Sequence, residues 1–480
     1  MSNAATPEAL RAAARSAAMA ADRSSAMSAY RELLHRLPDD TEALNYLAVA
    51  SLASGDPVGA RLLLEQAMLA SPADATTRKN LGLALLHEKR ADEAEAVLRP
   101  ALAEYPDFHA ARLYLGTALE QQGRRRDAVA AYLQALTGAQ AGGEWVDAGT
   151  TPAALAPAVK HALHFVRDHY PAVLQALVDP LEHRHGTQAM ARLRRCLAGY
   201  LGDRSVAPAS PDQRPTFLFF PDLPSPPIFD GNLFPWHAEL EARTPFLKTE
   251  LLRILAEDAG LVPFLGEPPP GMKSEYLAGN AGRPQWDGFF FHRHGRRNDA
   301  NCRRAPDTAA ALDVAPIVRI PGHAPEALFS VLGAGSHILP HTGVTNTRVV
   351  THLPLLVPGD CTLRVAKQRH DWQEGHCVTF DDTFEHEAWN NSDRTRVVLL
   401  FDVWNPYLTD VECAGITELV RTIGDLKGDQ LRKMNQNGML PLIVAHLFSL
   451  PMIREIFARQ QAQGKAPKQA PAKAAETAEA

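Results

Sequence analysis

The chain lacks any run of about 18 consecutive apolar residues, so no segment of it is expected to span a membrane. Its start, MSNAATPEALRAAARSAAMA, lacks the continuous apolar core of an export signal, and a cytoplasmic location is expected. Cysteine is scarce and scattered. Cys196, Cys302, Cys361, Cys377 and Cys413 are odd in number and contain no C-x-x-C pair. That excludes a disulfide framework and a zinc site built on paired thiolates, and it fits reduced thiols. Charge of one sign is also lacking. The net charge is -6, and the arginine clusters Arg124-Arg125-Arg126 and Arg194-Arg195 are short, so nucleic acid is not expected as a partner.

What is present is length and a period. A chain of 480 residues is too long for one ordinary core, so several domains are expected. Proline recurs at Pro38, Pro72 and Pro106, in steps of 34 residues. The same step links Leu47, Leu81 and Leu115, then Ala60, Ala94 and Ala128, then Ala67, Ala101 and Ala135, and also Gly82 and Gly116. Small residues let paired helices approach closely, and proline ends the second helix because it has no N–H to donate. Each pair leaves an apolar face that only the next repeat covers. The pattern resembles the tetratricopeptide repeat. It implies an all-α solenoid over residues 1–140, with a groove for a peptide or protein, or else a scaffold or pairing module.

Residues 141–214 read as a helical connector, with helices over 158–177 and 188–201 and a proline- and serine-rich linker from Val206 to Pro215. His161, His164 and His169 there read as surface and packing histidines. From Phe217 the chain changes to short strands punctuated by proline and glycine, an α+β domain with a β-sandwich or barrel core. A helix is expected over 237–256 and a buried strand at Phe289-Phe290-Phe291. The HRHGRR run beginning at His292 reads as a solvated loop. Helices are expected over 411–426, 428–434 and 440–458, and residues 461–480 form a low-complexity tail expected to be disordered.

The chemistry concentrates between Ser330 and Trp404. His341 ends a strand before Thr342-Gly343, and His386 lies 45 residues later in FDDTFEHEAW. The Asn390–Asp393 turn suggests that HEAW and TRVVLLFDVW form a hairpin, with Arg396 opening its second strand. Arg348, Val350 and His352 share one strand face by the period of two. Two imidazoles from different strands can hold a divalent first-row metal such as Fe(II), leaving positions for a chelating cosubstrate and dioxygen. Arg396 can clamp a distal carboxylate through its planar fork. Ser330 can add a hydroxyl there, and His352 or Arg348 can meet the carboxylate nearest the metal. That is the inventory of a 2-oxoglutarate site. Asp381, Asp382, Glu385 and Glu387 read as turn residues or as supports for the metal ligands.

The runs HTGVTNTRVVTHLPLLVP, WQEGHCVTFDDTFEHEAWN and TRVVLLFDVWNP resemble the aspartyl/asparaginyl β-hydroxylase family, over about Phe217 to Pro406. The GRRNDANCRRAPDT segment, and repeats placed ahead of the domain, resemble it too. The resemblance implies a double-stranded β-helix (jelly-roll) domain over residues 215–408, with helices over 409–460. It implies an Fe(II)- and 2-oxoglutarate-dependent oxygenase hydroxylating the β-carbon of Asp or Asn in a peptide or protein, with succinate and CO2 as coproducts. Related members hydroxylate a lipid acyl chain. By the resemblance His341 and His386 are the iron ligands, Arg396 and Ser330 hold the far carboxylate of 2-oxoglutarate, and His352 contacts its metal-proximal end. Some members carry arginine where this chain has Val350; Arg348 is the expected substitute. Gly343 stands where the commoner His-x-Asp/Glu…His triad has its carboxylate, and the family is similar in lacking it. A repeat-based adaptor with a non-catalytic barrel is the competing reading, and intact His341, His386 and Arg396 argue against it.

Overall fold

The computed structural model describes residues 6–257, 260–265, 274, 276–279 and 285–428. Contacts divide the chain into two units. Among the described residues, one holds those up to 115 with 135–167, and the other holds 116–134 and those from 168 to 428.

The first unit contains the helix array. Its helices are α1 Pro7–Met19, α2 Arg23–Arg36, α3 Thr41–Ala53, α4 Pro57–Ala70, α5 Ala75–His87 and α6 Ala91–Glu104. The period is visible in the caps. Asp40 and Asp74 each accept from the backbone N–H three residues on, Ala43 at 2.8 Å and Thr77 at 2.7 Å, and so start α3 and α5. Pro38 and Pro72 follow the ends of α2 and α4 as the proline rule requires. Gly82 is small because α6 is close: a Cβ there would lie 2.7 Å from Leu98 Cγ. The helical repeat array is as the period predicts.

The helices α7 His109–Gln121, α8 Arg125–Ala141, α9 Ala156–His185 and α10 Thr187–Tyr200 follow. The helix expected to end at Leu177 instead continues through Pro180 to His185, and it stops at Gly186, whose φ of 87° breaks the helical path.

In the second unit, the helix expected over 237–256 is two helices, α11 His237–Ala242 and α12 Thr244–Glu257. Pro245 has no N–H to continue α11, so it takes the first turn of a new helix. Twelve strands are described. They are β1 Val262–Pro263, β2 Leu277–Gly279, β3 Trp286–Arg293, β4 Arg296–Arg297, β5 Ala327–Leu332, β6 Ser336–His341, β7 Arg348–Leu356, β8 Cys361–Val365, β9 Gln368–Asp371, β10 Val378–Phe380, β11 His386–Asn390 and β12 Arg396–Trp404. Between and after them lie α13 Asp299–Arg304, α14 Pro306–Leu312 and α15 Asp410–Lys427. The buried Phe289–Phe291 run lies in β3 as expected, and α15 covers the first expected C-terminal helix. The other two helices and the tail lie outside the described residues. HRHGRR is a tight hairpin between β3 and β4, turning at His294 and Gly295, both with positive φ.

Pairing between the named strands is antiparallel. One sheet runs β1-β3-β5-β12-β7-β10 with β4 on β3, and the other runs β2-β6-β11-β8-β9. This corrects the expected hairpin: β11 and β12 lie in different sheets. The buried Asn390 side chain is the reason. Its Nδ2 donates to Leu332 O, Gly333 O and Arg394 O at 2.7–3.0 Å, and Ser392 O accepts from Gly335 N. These bonds tie the turn to the β5–β6 crossing and carry the chain across instead of folding it back.

Residue parity sorts the first sheet. Val397, Leu399, Phe401 and Val403 of β12 join Phe329, Val349 and Phe289 in a core with Leu247 and Leu251 of α12. Val398 joins Leu332, Val350, Val378, and Leu363 and Ala388 of the second sheet, in a core between the sheets. The even-numbered positions of β5, β7, β10 and β12 therefore face that inner space.

Candidate active site

The six residues singled out from the sequence line one cavity of about 140 Å³ between the sheets: Ser330, His341, Arg348, His352, His386 and Arg396. The register explains this. His341, at the end of β6, is the direct cross-strand partner of His386, at the start of β11. Their ring centroids are 4.1 Å apart. Each ring is bonded through Nδ1 to a carbonyl two residues earlier, His341 to Leu339 O at 2.7 Å and His386 to Phe384 O at 3.0 Å. A carbonyl only accepts, so Nδ1 carries the proton, and in a neutral ring Nε2 keeps its lone pair. Burial keeps the rings neutral. It lowers the pKa of His341, and it pushes His386 well down with help from the adjacent His341.

Arg396 opens β12 with 1% exposure. Its guanidinium lies 4.5 Å over the Trp372 ring, yet Nε and Nη1 have no hydrogen-bond partner among the described residues. Burial lowers its pKa to about 10. A buried guanidinium with free N–H groups is costly unless an anion meets it. Ser330 is two residues off in the β5–β12 register, on the same face, and its Oγ accepts from Trp286 Nε1 at 3.0 Å. The imidazole of His352 is buried, its Nδ1 has no partner among the described residues, and burial holds its pKa well below the usual value.

Arg348 lies in the cavity but is already ion-paired to Asp402. The register sets Asp402 directly opposite Val350. The sequence reading missed Asp402, although it shares parity with Arg396 on β12. It missed Trp372 and Trp286 too: Trp372 opens the WQEGHC run, but no spacing gives either indole a role at the site.

Gly343 has a steric reason. A Cβ there would overlap the Asp382 carboxylate, so that carboxylate fills the space a side chain at 343 would take. Asp382 is buried beside both histidines, its Oδ1 has no partner among the described residues, and burial raises its pKa to about 8 against the opposing charge of Arg348. Gly343→Ala is therefore expected to destabilise by about 1–3 kcal/mol, and Asp382→Ala in the same chain to restore most of that. Chemical denaturation of the two single variants and the double variant checks it; additive losses would mean the groups do not meet. Asp381 turns away, accepting from Thr383 N at 3.0 Å and Gln213 Nε2 at 2.9 Å. Glu385 pairs outward with Arg364 and Arg214, and Glu387 with Arg364 and His337.

The buried histidines set an acid limit. His237, lowered to about 4, titrates in the same direction as His341, His352 and His386. Folded-state pKa values below the unfolded 6.5 mean that the unfolded chain binds more protons. Their contribution is thus intact above about pH 6.5 and is lost as pH falls below it. Metal-free protein is expected to lose melting temperature from pH 7 to 5, with a shallower slope in His341→Ala/His386→Ala. Equal slopes would contradict the assignment.

Residues 248–406 match the family model described as Aspartyl/Asparaginyl beta-hydroxylase, and residues 11–75 and 85–145 match tetratricopeptide-repeat models. The chain carries a domain of the aspartyl/asparaginyl β-hydroxylase family behind tetratricopeptide repeats. Among curated relatives, the ornithine lipid ester-linked acyl 2-hydroxylase of Rhizobium tropici is 35% identical over 192 residues, 39% of this chain and 64% of the relative. The human aspartyl/asparaginyl beta-hydroxylase is 38% identical over 125 residues, 26% of this chain and 16% of the relative. Human aspartate beta-hydroxylase domain-containing protein 1 is 33% identical over 233 residues, 48% of this chain and 57% of the relative. The chain thus spans between 16% and 64% of these relatives' lengths. No helix among the described residues is long and apolar enough to cross a membrane.

Proposed function

We propose that the chain is an Fe(II)- and 2-oxoglutarate-dependent dioxygenase with a double-stranded β-helix catalytic domain, acting in the cytoplasm. The carrying observation is the set of buried polar groups in one cavity that have no partner among the described residues, Arg396 Nε and Nη1, His352 Nδ1 and Asp382 Oδ1, beside two histidines whose Nδ1 atoms are bonded to carbonyls. The residues present fit the group. His341 and His386 would hold the metal through Nε2, with water or Asp382 completing its sphere. Arg396 and Ser330 would hold the far carboxylate of 2-oxoglutarate, and His352 and Arg348 its near end. When bound, the metal and cosubstrate supply dioxygen activation coupled to oxidative decarboxylation. The chain's own work is orientation and exclusion of water. The carbonyls of Leu339 and Phe384 fix the imidazole rings. Val350, Trp286 and Phe380 keep the cavity wall dry.

The substrate we propose is the β-carbon of Asp or Asn in a peptide or protein, captured with help from the repeats. A lipid acyl chain is the second reading, favoured by a lining rich in apolar groups such as Phe264, Leu265 and Leu400 and by the likeness to the Rhizobium tropici protein. Incubation with Fe(II), 2-oxoglutarate and either a peptide library or an acyl-lipid extract separates the two by which one gains an oxygen atom in the mass spectrum. Turnover of neither, with no succinate formed, would leave the adaptor reading.

A further inference from the structure

A second cluster of donor groups lies on the opposite face of β10 from the cavity. His237 and Glu241 are one turn apart on α11, hence on one helix face. Cys377 immediately precedes β10. Their donor atoms (one imidazole nitrogen, one carboxylate oxygen, one thiol sulfur) all lie within 4.8 Å of one another. None of the three lines the active-site cavity. Parity separates the two places. Phe380 of β10 faces the cavity and His386, whereas Thr379 faces α11. The cluster is held from behind. His237 Nε2 is 3.1 Å from Thr379 Oγ1, which is 2.7 Å from Thr351 Oγ1, so the ring orientation is fixed. Glu241 Oε1 accepts the Cys377 backbone N–H at 2.8 Å, which ties the helix to the strand entry. The His376 Nδ1 is 3.8 Å from Glu241 Oε2, so a fourth donor is at hand.

We propose that His237, Glu241 and Cys377 form a separate site for a zinc-class divalent cation, with His376 or water as fourth ligand. The donor set supports that class: one sulfur, one or two imidazole nitrogens and a carboxylate suit a borderline-soft ion in tetrahedral geometry, not calcium or magnesium. The scattered cysteines exclude a site of paired thiolates, but this set needs only one. His237 is supplied neutral, its pKa held near 4 by burial, as ligation requires. The Cys377 thiol is pushed up by burial and by Glu241, and the ion takes the place of its proton, which passes to solvent. The site clamps α11 to β10, an edge strand of its sheet, whose continuation carries Asp382 and His386.

Cobalt(II) titration of the metal-free full chain tests this. Only a thiolate ligand gives a sulfur-to-Co(II) charge-transfer band, and the His341–His386 pair has no sulfur. The expected result is a band in the wild type that is displaced by Zn(II), and that saturates at one equivalent once the His341–His386 pair is removed. It persists in His341→Ala/His386→Ala and is lost in Cys377→Ser. Should Cys377→Ser fail to fold, Glu241→Ala is expected to weaken Co(II) binding at this band by at least about tenfold. Absence of the band in the wild type, its survival in Cys377→Ser, or unchanged affinity in Glu241→Ala overturns the proposal. None of these outcomes depends on hydroxylase activity, so this site and the proposed reaction fail separately.

Discussion

Arg396→Met is expected to abolish 2-oxoglutarate binding while leaving the fold close to its original stability. The guanidinium is buried, two of its N–H-bearing nitrogens lack partners among the described residues, and its contact with Trp372 is the stacking of a cation on a ring. That contact is worth about 2 kcal/mol when desolvated, and methionine fills similar volume without a charge to desolvate, which offsets the loss. The ligand side of the balance is larger. Removing one partner of a buried, hydrogen-bonded charge pair costs about 2–5 kcal/mol, or roughly 30- to 5,000-fold in affinity. Arg396→Lys keeps the charge but not the fork, and is expected to recover only part of the loss. Calorimetry of cosubstrate binding beside a thermal melt separates the two effects. A variant that unfolds without losing affinity per folded molecule would make Arg396 a structural residue.

Replacing both histidines, His341→Ala/His386→Ala, is expected to bring turnover to background. Loss of a single hydrogen-bonding support behind a metal ligand typically costs 10–100-fold, so loss of both inner donors is expected to cost more than about 10³-fold in metal affinity. The carbonyls of Leu339 and Phe384 also lose their donors, so moderate destabilisation is expected as well. Competition with a chelator of known affinity checks the metal, and succinate formation checks turnover. An adaptor with a non-catalytic barrel would be indifferent to both substitutions.

The legible parts were those governed by a period. The 34-residue step fixed the repeat array because caps, prolines and small residues recur with it. The alternation in RVVTH placed Arg348, Val350 and His352 on one face, and the structure has all three lining the cavity. The failures came where a local signal competed with a distant bond. Asn390–Asp393 has hairpin chemistry, but Asn390 bonds across to Leu332 and Gly333, which no local pattern reveals. The helix expected over 158–177 runs on to His185, and a left-handed glycine at 186 sets its end. Arg348 was visible as a cation on the right face, but its partner Asp402 is 54 residues away. The Asp382 carboxylate over Gly343 combines two residues 39 apart, so the sequence could show the gap at 343 but not what fills it.

The central claim is that two neutral histidines and a buried arginine make a site that binds metal and 2-oxoglutarate together. Calorimetric titration of 2-oxoglutarate into the anaerobic protein, with and without Mn(II) in place of iron, tests it without knowledge of the substrate. One equivalent is expected to bind only when the metal is present, and not in Arg396→Met. Binding that ignores the metal, or no binding with the metal in place, would contradict the account.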